Sequence, residues 1–215
     1  MPFQKTKSFR RNMTSGAMIV WPLAMLLAAL AQPKIGESPT DVYSASVSHA
    51  NRLSLSLLIG IPGIVFWLIA VSGITKKIQE RGSVLAIVGG ILATLGALGH
   101  MINASLYLVL LGIPSSGHED VLVPTVDRIA KHVFPVAMPM LMLGAIGVFL
   151  LGLALYRGGF TSKATPILLG LSIVAEFIPF PGITGDVVTW ALVGIGLALS
   201  IRGVRGKTEV GSALG

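Results

Sequence analysis

The stretch "LGHMINASLYL", residues 98–108, places His100, Asn103 and Tyr107 on successive turns of a segment that is otherwise apolar. Residues three and four apart on a helix share a face, so an imidazole, a carboxamide and a phenol would line one side. A second feature lies in "LLGLSIVAEFIPF", where Glu176 follows Ser172 by four residues. A carboxyl within a hydrophobic span costs about 2.5–3.5 kcal/mol on insertion scales and normally faces a partner or a cavity. Glu176 and His100 are therefore the groups best placed to bind a ligand or exchange a proton, with Asn103, Tyr107 and Ser172 beside them. His49, Asn51, His132 and Asp186 stand at the starts of apolar segments, where they would ring the outer rim of the same vestibule.

The elements that must position these groups are long apolar blocks. Hydrophobic residues make up 53% of the 215-residue chain, charged residues only 12%, and the mean hydropathy is +0.82. Blocks of about twenty apolar residues match the length a helix needs to cross roughly 30 Å of hydrocarbon. The sequence predicts an all-α, polytopic membrane helix bundle with six spans, near 14–32, 53–75, 83–113, 133–156, 164–180 and 185–202. The fifth is the shortest, bracketed by Pro166 and Pro179. Residues 1–13 read as a basic N-terminus, 14–204 as the bundle and 205–215 as a C-terminal tail. The start also fits a signal peptide cleaved after Ala31, which would leave five spans; a retained first span is the favoured reading.

Charge sets the orientation. Lys5, Lys7, Arg10, Arg11, Lys76, Lys77, Arg81, Arg157, Lys163, Arg202, Arg205 and Lys207 fall at one end of the expected bundle, and only Lys34, Arg52, Arg128 and Lys131 at the other. The positive-inside rule then places both termini in the cytoplasm of a cell membrane, most simply a prokaryotic inner membrane. The net charge of +7 is accounted for by these clusters, so nucleic acid is not an expected partner. The expected partners are the bilayer and either further copies of the chain or a larger membrane complex.

In the third span, Gly89, Ala93, Gly96, His100, Asn103 and Tyr107 share a face, and Gly82, Gly89 and Gly96 recur every seven residues. Small residues allow helices to approach closely, so this seam should point inward, tightly packed at the cytoplasmic end and polar at the outer end. "TDVYSASVSHANRLSL" and "PTVDRIAKHVF" read equally as short interfacial helices or as extensions of the spans that follow. Pro62 and Pro139 should interrupt helical hydrogen bonding in spans two and four. Met138, Met140 and Met142 alternate, which suits packing better than a copper site.

The absence of cysteine removes thiolate chemistry and Cys-ligated metal, and neither HExxH nor GxSxG occurs. The reading that results is a non-enzymatic membrane protein with an outward-facing polar pocket that binds, senses or conducts a small ligand or proton. No cofactor is expected. Two alternatives stay open: a haem or divalent-metal protein using His49, His100 and His132 with Glu176 or Asp186, and a structural or assembly subunit in which Glu176 pairs with a partner.

Overall fold

The computed structural model describes residues 2–35, 38–79, 81–112, 119–176, 178 and 185–206. Seven helices account for nearly all of them: α1 (Pro2–Ala31), α2 (Pro39–Ser48), α3 (Ala50–Lys77), α4 (Ser83–Leu111), α5 (Glu119–Arg157), α6 (Ala164–Ala175) and α7 (Gly185–Gly206). No strand occurs among the described residues. Five helices, α1, α3, α4, α5 and α7, are long and apolar enough to cross a membrane, which is the composition of a multi-pass membrane protein.

The expected fifth span differs. α6 has 12 residues, about 18 Å at 1.5 Å per residue, and ends at Ala175 rather than near 180. The two ambiguous outer segments resolve differently from each other. Residues 39–48 form a separate helix, started by a capping box in which the Ser38 hydroxyl accepts from the Asp41 N–H at 3.1 Å. Residues 119–132 instead extend the fourth span into one helix of 39 residues that runs through Pro124, Pro135 and Pro139. α3 likewise continues through Pro62.

Contacts between helix ends give the bundle two distinct poles. At one, the Lys77 ammonium meets the Val204 carbonyl and lies 5.7 Å from the Phe160 ring centroid. Gly82, with φ +95°, packs on Ala154 and Arg157. This pole gathers the ends of α3, α5 and α7 with the starts of α4 and α6, and with them the basic clusters. At the other pole, Arg52 at the start of α3 donates to the Leu30, Ala31 and Gln32 carbonyls that end α1. There, too, α2 contributes Val42 to a cluster with Leu106, Leu110 and Val126 over the end of α4 and the start of α5.

The core runs between the poles and is built largely from small residues. A Cβ on Gly96 would collide with the Gly144 Cα, and one on Gly89 would come within 3.0 Å of the Gly147 carbonyl oxygen. The glycine seam of α4 therefore faces inward, as its spacing predicts, and α5 is the helix against it. Leu58, Val84, Ile91 and Ile167 point out of the bundle, the arrangement expected where the surroundings are lipid.

Candidate functional site: an aromatic-floored cavity

A cavity of about 290 Å3 opens between the helices at the pole away from the basic clusters. Its wall draws on α1, α3, α4, α5 and α7 and on the end of α6. The polar liners include Gln32, Ser56, His100, Asn103, Tyr107, Glu176 and Asp186, and the aromatic ones include Trp190. Of the residues that the sequence proposes for the pocket, four share this one space: His100, Asn103, Tyr107 and Glu176. Asp186, expected only at the rim, joins them.

The other expected residues lie elsewhere. Ser172 is buried, and its hydroxyl donates to the Leu169 carbonyl at 2.8 Å; a serine on a helix commonly satisfies itself this way. It is absent from the cavity wall. His49 is exposed at the junction between α2 and α3, next to exposed Asn51. His132 is exposed too, its Nδ1 at 2.7 Å from the Arg128 carbonyl. Among the described residues no three His, Asp or Glu side chains gather closely enough to hold a metal ion.

Glu176 stands at the C-cap of α6, one residue beyond the helical run. Its neighbours are set by the first turn of α7. A Cβ on Gly185 would lie 3.0 Å from the Ala175 carbonyl oxygen, so the bare glycine lets α7 begin a few tenths of an ångström closer to the end of α6. The Thr189 hydroxyl donates to the Ser172 carbonyl at 3.0 Å and ties the two helices together. The first turn of α7 thereby carries Asp186 to the same cavity wall as Glu176. The acidic neighbour of Glu176 on this wall is Asp186, and His100 lines the same cavity.

His100 has different company. Its ring centroid lies 5.3 Å from that of Trp67 and 5.6 Å from that of Trp190, each inclined by 56°. Trp21 stacks on Trp67 at 4.7 Å and meets Trp190 edge-on at 6.3 Å. All three tryptophans of the chain, from α1, α3 and α7, therefore form one box against the histidine. Tilted and edge-on pairings suit the ring quadrupoles. The sequence reading missed this box. Its signal was position: tryptophans concentrate at the membrane interfaces, whereas Trp67 falls well inside the second expected span. Three buried polar atoms in this region have no hydrogen-bond partner among the described residues: Nε1 of Trp21, Nε1 of Trp67 and Oδ1 of Asn103.

Comparison of the chain with known protein families, with characterised proteins and with solved structures gives no match, so the functional reading rests on this geometry.

Proposed function

We propose that the protein is a multi-pass protein of the cell membrane, with both termini in the cytoplasm, whose cavity opens to the outside and binds a small ligand. The observation that carries this reading is the convergence of His100, Asn103, Tyr107, Glu176 and Asp186 from three separate helical elements onto one cavity. Intramembrane polar groups are costly and cluster where they serve a pathway or a site. Orientation follows from the basic pole, which the positive-inside rule assigns to the cytoplasm. A sixth traverse joins the end of α5 at that pole to the start of α7 at the other, and α6 covers part of its thickness.

The chain has no cysteine, so single thiols can be introduced cleanly. Ser48→Cys and Ser162→Cys occupy exposed positions at opposite poles. An impermeant maleimide applied to sealed cells should label Ser48→Cys at once and Ser162→Cys only after permeabilisation. The reverse pattern would overturn the outward orientation. Ala104→Cys, on the cavity wall, should react with the small reagent iodoacetamide; an inert thiol there would mean that the cavity does not admit solutes.

A further inference from the structure

The chemistry of the wall goes beyond the existence of a pocket. We propose that the cavity takes a small organic cation, an ammonium group carried on an apolar body; this inference rests on the pocket reading above. Glu176 and Asp186 bring two carboxyls to one place on the wall. Asn103 adds a side-chain oxygen that is buried and has no hydrogen-bond partner among the described residues, an acceptor without a donor. Tyr107 and Trp190 add aromatic surface beside these oxygens, and such faces attract cations through the ring quadrupole.

Among the described residues no lysine or arginine lines the cavity. Arg52, the basic residue at this pole on α3, is engaged with the carbonyls that end α1. Residues 36–37, 113–118 and 177–184 contain no lysine or arginine in their sequence. His100 is held between two indoles and contributes a ring to the aromatic floor. An anion would meet the carboxyl pair with nothing to offset it. Among the described residues no three His, Asp or Glu side chains gather here as a cluster for a bare metal ion. The volume of 290 Å3 corresponds to about ten water molecules in the liquid. That suits an ammonium with a few carbons, and the apolar liners Leu57, Ile61, Ile64 and Leu141 would cover the hydrocarbon part.

The test compares two thiosulfonate reagents on Ala104→Cys: a cationic one bearing trimethylammonium and an anionic one bearing sulfonate. Rates are normalised to the same reagents on exposed Ser48→Cys. The cationic reagent should be favoured at Ala104→Cys by roughly tenfold, an effect of the size expected when a charged cleft concentrates a counter-ion. Tetramethylammonium chloride should slow that reaction, and equimolar sodium chloride should not. Adding Glu176→Gln and Asp186→Asn should bring the preference close to one. Equal rates for the two reagents, or preference for the anion, would overturn the cation assignment and leave the pocket standing. Failure of both charged reagents and of iodoacetamide at Ala104→Cys, with Ser48→Cys reactive, would overturn the pocket reading itself. The comparison in the otherwise unaltered protein decides the matter even if the double carboxyl variant does not fold.

Discussion

Helix α4 carries two different kinds of surface along one face, and the two halves of the bundle differ accordingly. Toward the basic pole its inward positions are Gly89, Ala93 and Gly96, and α5 approaches until a single methyl group would collide with its backbone. Toward the opposite pole the same face continues as His100, Asn103 and Tyr107, and the neighbouring helices stand far enough apart to leave a cavity. Lipid chains are as apolar as leucine, so no hydrophobic drive holds helices together within a membrane; close van der Waals packing must do so. The glycine half supplies that packing and frees the other half to remain open. The contrast teaches that an intramembrane chamber needs a tightly packed partner region on the same helices.

The largest expected effect comes from the boundary between the halves. Trp67 is almost fully buried and touches Trp21, Trp190 and His100. Trp67→Ala should destabilise the protein by about 3–5 kcal/mol, the usual cost of removing a large core aromatic, as read by thermal unfolding in detergent. A variant that melts like the parent would show that the aromatic box does not join the two halves.

Within the glycine half, Gly96→Ala should cost about 1–3 kcal/mol through overpacking, because the added methyl meets the Gly144 backbone rather than a movable side chain. Leu108→Ala, at an exposed position on the same helix, should stay within about 0.5 kcal/mol. Equal losses for the two would remove the distinction between the inward seam and the outer face.

Smaller changes should sharpen the description of the open half. Gly185→Ala adds a methyl 3.0 Å from the Ala175 carbonyl oxygen, which requires α7 to shift by a few tenths of an ångström. Melting should change by less than about 1 kcal/mol, while the cation preference at Ala104→Cys should fall severalfold as Asp186 moves from Glu176. An unchanged preference would mean that the carboxyl pair does not depend on this close contact. Smallest of all, His49→Ala and His132→Ala alter exposed histidines away from the cavity wall and should leave both stability and labelling unchanged. A loss of labelling in either would extend the site to the rim that the sequence suggested.

How far the sequence revealed this arrangement depended on the range of the interaction. Helical periodicity is local, so the inward seam of α4 and its change from glycine to polar residues could be read from spacing alone. The long helices followed from blocks of apolar residues, although α6 stops short at Ala175. Which helices meet is a tertiary fact. Spacing put His100 and Glu176 in one region, and they do share a cavity. It could not reveal that Gly185 draws α7 against α6 and gives Glu176 the carboxyl of Asp186 as its neighbour. Nor could it tell that Ser172 would bond to its own helix. The tryptophan box was hidden because Trp21, Trp67 and Trp190 are separated by 46 and 123 residues and meet only when α1, α3 and α7 pack together.

The central claim, that the open half is a cation-binding chamber resting on the aromatic box, is tested most directly by intrinsic fluorescence. Every tryptophan in the chain belongs to that box, so emission reports on no other region. Titration of the purified protein with tetramethylammonium chloride should change the emission saturably. Sodium methanesulfonate at the same ionic strength should leave it flat, and Glu176→Gln with Asp186→Asn should abolish the response. An unresponsive emission in the unaltered protein, or an equal response to both salts, would contradict the account.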